Sequence, residues 1–300
     1  MKTLIIILGP TASGKTDNAI EIASHFNSEI ISADSRQVFK ELKIGSAMPD
    51  NVQSSRVKHY FIADRSVIDN FNAYIYETQV IKLLDDIVFK NNDIAVMSGG
   101  SMLYIDAVCN GIDFLPDADP KLRSELQSLL DNFGTEYLAE KLKTLDPDYY
   151  NIVDKKNGRR LIKALEISIQ TGLPYSAFRT GEKKQRNFRI IKIGLNLERE
   201  KLHQRINLRT DKMMALGLEN EARNLYHFGR INALNTVGYR EMFDYFDGIT
   251  DLNTAIELIK RNTRRYARKQ ISWFGRDKNT VWFQPDQTPQ IINYLENILK

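Results

Sequence analysis

Short unbroken apolar runs alternate with amphipathic stretches along the first part of the chain. Leu4-Ile5-Ile6-Ile7-Leu8, Glu29-Ile30-Ile31-Ser32-Ala33, Asp93-Ile94-Ala95-Val96-Met97 and the stretch from Arg189 to Leu197 are rich in β-branched residues. Apolar runs of this length, without alternation, read as strands of a parallel sheet buried on both faces. Between them, apolar residues recur at helical spacing: Ala19, Ile20, Ile22 and Ala23 within Asp17–Phe26, and Ile75, Val80, Leu83, Leu84, Ile87 and Val88 within Ala73–Phe89. His59-Tyr60-Phe61-Ile62 reads as an edge strand. From Phe114 to Phe188 the pattern is helical: Leu122, Leu126, Leu129 and Leu130 in one segment, Leu138, Leu142 and Leu145 in a second. A third, Leu161, Ile162, Leu165 and Ile169, is closed by Gly172 and Pro174. Beyond residue 197 two long helices are predicted, Glu198–Leu216 and Leu252–Trp273. The pattern predicts an α/β fold, a parallel sheet flanked by helices over 1–113 and 189–300, with a helical insertion at 114–188.

The turn after the first strand, Gly9-Pro10-Thr11-Ala12-Ser13-Gly14-Lys15-Thr16, fits G-x-x-x-x-G-K-[ST] at every fixed position. Strand, glycine-rich turn and helix stand in the order a P-loop requires, so the sheet is expected to be P-loop NTPase-like. In such a turn backbone N–H groups converge on phosphate oxygens at a helix N-terminus. Lys15 adds a point charge, and Thr16 offers a hydroxyl to phosphate-bound Mg²⁺. Asp34 closes the second strand at the edge where open α/β sheets bind ligands. It can bind Mg²⁺, take a proton, or cap the following turn. Ser98-Gly99-Gly100-Ser101 repeats the strand–glycine–helix arrangement. No Walker B segment, an apolar strand ending in Asp with a water-positioning partner, is evident; the strand at 93–97 ends in Ser98-Gly99-Gly100 instead. Arg205 and Arg209 share a helix face and can reach the phosphates or form surface ion pairs.

A net charge of +4 is mild but uneven. Acidic residues predominate from Gly111 to Asp154, and basic ones from Lys155 to Glu200 and from Ala255 to Lys278. Arg261, Arg264, Arg265 and Arg268 form one helical stripe, suited to a phosphate backbone. Two basic segments suggest a polyanion partner larger than a nucleotide. A hydrophobic content of 42% and charged content of 27% are those of a globular protein. No run reaches membrane-span length. The chain opens directly on its first strand, so no leader is expected. One cysteine, Cys109, excludes an internal disulfide and a cysteine-rich zinc site, and is expected to be buried. A reducing, cytoplasmic compartment is expected.

Taken together, the motifs resemble the tRNA dimethylallyltransferases, in their compact bacterial form. GPTASGKT at 9–16, ADSRQV at 33–38, GSAMP at 45–49, GGSMLY at 99–104, RRLIKALE at 159–166, RTDKMMALGLENEA at 209–222, VGYRE at 237–241 and TRRYARKQISWF at 263–274 occur in the family's order. The resemblance implies transfer of a dimethylallyl group from dimethylallyl diphosphate to N6 of adenosine 37, beside the tRNA anticodon, by a monomer. By the same resemblance the P-loop, Lys15, Thr16 with Mg²⁺ and Arg209 hold the diphosphate. Asp34 is the base, and Asp34, Ser35, Arg36 and Gln37 contact the tRNA near the target. Ser101 and Arg123 flank the entrance, and Arg159, Arg160, Leu161, Ile162 and Lys163 form a tRNA-contacting motif. The insertion is expected to clamp the anticodon stem. Two departures are conservative, Ser46 and Ser101 standing where the family has threonine. Met48 replaces an expected cation. An adenylate isopentenyltransferase acting on free AMP or ATP, a P-loop kinase, and a non-catalytic tRNA-binding module remain as alternatives.

Overall fold

The computed structural model describes residues 1–117 and 119–300. Contacts divide the chain into two compact units, Met1–Asn110 with Gln185–Lys300, and Gly111–Lys184.

The first unit is built on a six-stranded, wholly parallel sheet. Its strands are β1 (Thr3–Leu8), β2 (Ile30–Ala33), β3 (His59–Tyr60), β4 (Ile94–Gly99), β5 (Arg189–Leu195) and β6 (Val281–Phe283), in the order β3-β2-β4-β1-β5-β6. The apolar runs are the inner strands, as their lack of alternation requires, and His59–Tyr60 is the edge. β6 is three residues long behind a charged turn, too short to show a period. On one face α1 (Lys15–His25) places Ala19, Ile20, Ile22 and Ala23 against Ile5, Ile7, Val96 and Ile193. Ile291 and Leu295 of a C-terminal helix, Thr288–Leu299, complete that layer. The helix at Ala73–Leu83 continues through a π-turn at Leu84–Val88 and ends at Asn91. It sends Tyr76 to stack on Tyr104 of the helix Met102–Asn110, with ring centroids 4.3 Å apart, and Tyr76 donates its hydroxyl to Ser32 O. Cys109 is buried.

The register matters most for function. Leu8 pairs with Gly99 and with Gly194, and Ala33 also pairs with Gly99. The strands therefore end in one row, and the turns at 9–14, 34–37 and 100–101 leave from a common edge. Gly99 makes this row possible: a Cβ there would lie 2.1 Å from Ala33 O.

The second unit is helical. Its longest element, Pro120–Leu145, is two segments meeting at Gly134, whose φ of 78° and ψ of −177° break the helix where two separate helices are predicted. Leu126, Leu138 and Leu142 pack with Tyr149, Val153, Leu161, Ile162 and Leu165. Gly172, left-handed at φ 70°, ends the helix Gly158–Thr171.

Gly99→Ala puts a methyl group against backbone that cannot rotate away. It should cost about 1–3 kcal/mol, read as a Tm lowered by several degrees; an unchanged melting curve would contradict the close approach of β2 and β4.

Candidate active site

The shape of the phosphate loop is set by its backbone rather than by its side chains. Gly9 has φ 151° and Gly14, which precedes α1, has φ 88°. A Cβ on Gly9 would sit 2.3 Å from Leu195 O, so only glycine lets the loop cross the end of β5. Within the loop Lys15 Nζ donates to Pro10 O at 2.6 Å. Packing among protein atoms lowers the Lys15 pKa to about 7; the nearby Arg209 guanidinium adds to the fall and Asp34 opposes it. Arg209 lies on the helix Arg199–Ala215 and donates to Thr11 Oγ1 at 3.3 Å. Burial lowers its pKa too, again against the pull of Asp34. Arg205, one turn earlier, places its guanidinium 3.7 Å from where a Gly14 Cβ would be. Both arginines of that face thus reach the loop. Ser13 Oγ is buried without a hydrogen-bond partner.

Asp34 follows β2 directly. Its Oδ1 accepts from the N–H groups of Arg36 at 2.9 Å and Gln37 at 3.3 Å, so one oxygen caps the turn. Oδ2 has no partner among the described residues. The structure thus combines capping with an oxygen left for chemistry. Ser101 Oγ accepts from Ser35 N at 2.8 Å, joining the second and fourth strand ends. Arg36 donates to Asn232 O and Ala233 O. Gln37 Nε2 donates to Ser46 O and Ala47 O, which ties the 43–49 loop to the site. Tyr104 and Tyr266 are both pushed up to about 12, chiefly by burial, so both are neutral hydroxyls at ordinary pH.

Three supports carried no assigned role in the sequence. Gln270 accepts from Thr11 N at 2.8 Å and donates to Gly100 O at 2.8 Å, bracing the phosphate loop against the turn after β4. It belongs to the helix Leu252–Phe274, whose buried positions are Ala255, Ile259, Ala267, Gln270 and Phe274. A lone amide on an apolar helix face was the available signal. Glu221 accepts from the N–H groups of Lys43, Ile44 and Gly45 at 2.8–3.0 Å and from Tyr239 Oη at 2.5 Å. Asn18 donates to Pro285 O at 2.9 Å, fastening α1 to the segment after β6. Nothing in sequence spacing marks these distant pairs.

The basic stripe divides. Arg261, Arg265 and Arg268 are exposed and have no carboxylate partner among the described residues, whereas Arg264 donates to Asn207 Oδ1 at 2.6 Å. In the second unit Arg159 and Arg160 are exposed and Lys163 is half-buried. Leu161 and Ile162, expected to touch RNA, are instead core residues, 0% and 5% exposed. Helical spacing turns them inward as it turns Arg159, Arg160 and Lys163 outward. Arg123, expected at an entrance, forms a bidentate pair with the fully buried Glu166 at 2.6 and 2.8 Å. That pair neutralises Glu166 and occupies the guanidinium's fork.

Among the described residues no cluster of three or more His, Cys, Asp or Glu side chains could hold a metal. No described helix is long and apolar enough to cross a membrane.

Residues 37–277 match the family model described as IPP transferase. The chain is 52% identical over 286 residues to tRNA dimethylallyltransferase 2 of Azobacteroides pseudotrichonymphae genomovar. CFP2, covering 95% of this chain and 93% of the relative. Its fold is similar to the crystal structure of the full-length tRNA isopentenylpyrophosphate transferase from Bacillus halodurans (TM-score 0.72, 33% identity, covering 99% and 96% of the two chains). It is also similar to a eukaryotic dimethylallyltransferase acting on tRNA (TM-score 0.73, 25% identity, covering 91% and 70%).

An anion bound beside Lys15 stabilises its ammonium and raises its depressed pKa. At pH 8, inorganic diphosphate should therefore bind the wild-type chain with more proton uptake than it binds Lys15→Met. Calorimetry in buffers of different ionisation enthalpy measures this, and equal uptake by the two proteins would contradict the assignment.

Proposed function

This chain belongs to the IPP transferase family and is a tRNA dimethylallyltransferase, and we propose that its phosphate loop receives the diphosphate of dimethylallyl diphosphate while Asp34 serves the attacking adenosine. The acceptor is N6 of adenosine 37, next to the anticodon, and the products are N6-dimethylallyladenosine and diphosphate. The observation that carries this division of labour is that Lys15 and Arg209 meet at the phosphate loop, while Asp34 at the end of β2 keeps one oxygen without a partner among the described residues.

In the reaction the bond from C1 of the dimethylallyl group to the diphosphate oxygen breaks, and its electron pair stays on the diphosphate. The amides of residues 9–16, Lys15 and Arg209 hold that growing charge; donors fixed in advance stabilise it without reorganising at the moment of reaction. The N6 nitrogen forms the new bond to C1, and its proton passes to Asp34 Oδ2. Hydroxyls suit Mg²⁺, and Thr16, with the buried, unpartnered Ser13 hydroxyl in the same turn, would hold it. Bound there, Mg²⁺ would supply further neutralisation of the leaving group.

An adenosine reaches such a carboxylate only after leaving the loop's stack, at a cost of a few kcal/mol. Contacts elsewhere on the RNA offset that cost. Ser35, Arg36, Gln37 and Ser101 are proposed to meet the tRNA near the target. The exposed Arg261, Arg265 and Arg268, with Arg264, hold its backbone, and Arg159, Arg160 and Lys163 hold the anticodon arm through the insertion. Arg123 serves the insertion's own core. The enzyme is proposed to act as a cytoplasmic monomer. A free AMP acceptor would have no use for these surfaces, which favours the tRNA reading over the adenylate one.

Asp34→Asn tests the proposal without disturbing the turn, because the amide oxygen can still accept from Arg36 and Gln37. Turnover should fall by roughly 10²–10⁴, with the tRNA dissociation constant changed only a few-fold. Turnover within threefold of wild type would remove Asp34 from the chemistry. The wild-type enzyme should prenylate anticodon-arm RNA and leave AMP untouched.

A further inference from the structure

The helical insertion contains a pocket of about 450 Å³, lined by Tyr149, Ile152, Val153, Arg159, Arg160, Lys163, Tyr175 and Arg179. That volume suits a small organic molecule. Its lining has two halves. Arg159, Arg160, Lys163 and Arg179 contribute four cations with no ion-pair partner among the described residues. Nearby carboxylates are committed elsewhere: Glu166 to Arg123, and Asp113 to the Thr180 hydroxyl and Gly181 N–H. Asp117 is the one other carboxylate that acts on Lys163, whose pKa is lowered chiefly by burial. The other half is apolar. Tyr149 and Tyr175 meet edge to face with centroids 4.8 Å apart, Arg179 lies 5.2 Å from the first ring and 6.0 Å from the second, and Ile152 is 72% exposed.

A bare phosphate would satisfy the cations and leave the half-buried Tyr175 and the exposed Ile152 in water, Tyr149 being held in the core behind them. An apolar side chain would do the reverse. A single unstacked nucleotide satisfies both, with its base against Tyr175 and Ile152 and its phosphates on the guanidiniums. RNA whose target base has been extruded also has neighbours that have lost a stacking partner. Resting on the tRNA reading above, we propose that this pocket holds a second nucleotide of the anticodon loop, one other than the target adenosine, through base stacking as well as phosphate contact.

The test uses the full-length protein and an anticodon-arm RNA made abasic at each loop position in turn, the target adenosine excepted. Dissociation constants are read by fluorescence anisotropy for wild type, Tyr175→Leu and Arg179→Gln. Both changes are at positions that are not fully buried, and Arg179 is exposed, so a second folded variant remains if the first is unstable. One abasic position should weaken wild-type binding by about tenfold, the order of one base–aromatic stack. That penalty should largely vanish in both variants, as coupled groups require. Abasic penalties that are the same in variants and wild type, including a uniform loss of affinity across all positions, would overturn the proposal. Because binding alone is read, failure here leaves the prenyl-transfer reading to stand or fall on turnover.

Discussion

Two cations packed beside each other against protein atoms, Lys15 and Arg209, dominate this molecule's chemistry. Each loses charge stability by burial, and Asp34 is the carboxylate that opposes that loss in both. Such a pair is costly until an anion arrives. The strand register, the glycine turns and the bracing side chains all serve to hold that costly arrangement in place.

The bracing is spread through the first unit. Gln270 spans the phosphate loop and the turn after β4, and it sits on the helix that carries the arginine stripe. Glu221 gathers three successive amides of the 43–45 segment, whose neighbours accept from Gln37. A Cβ on Gly45 would lie 2.6 Å from the Tyr239 ring, so glycine lets that loop close on its support. Groups proposed to meet the reacting atoms are therefore positioned by residues far away in the chain. This fits a reaction that needs orientation and fixed charge more than a complex set of proton carriers.

Much of this was legible beforehand, for reasons that differ by residue. The central strands announced themselves because burial on both faces leaves no polar positions. The phosphate loop announced itself because each of its fixed residues answers a steric or electrostatic need. Arg205 and Arg209 could be placed on one face by spacing, but only the fold shows both at the loop. Leu161 and Ile162 were misread because a motif names neighbours in sequence, whereas a helix sends neighbours to opposite sides. The partner of Arg123 was not legible: Glu166 lies on another helix of the insertion, and pattern alone does not pair them. Gln270 stood out only as a lone amide on an apolar helix face, and neither it nor Glu221 carries any sign of which backbone groups it holds.

The central claim is that the cradle grips a departing diphosphate, so that a carbon centre moves and phosphorus does not. The direct measurement supplies unmodified tRNA with dimethylallyl diphosphate labelled at C1, together with ATP labelled in its γ-phosphoryl group. Carbon label on the adenosine beside the anticodon, with one diphosphate released per nucleoside modified, is the predicted result. Transfer of the γ-phosphoryl group to an acceptor, with no prenylated nucleoside formed, would contradict it.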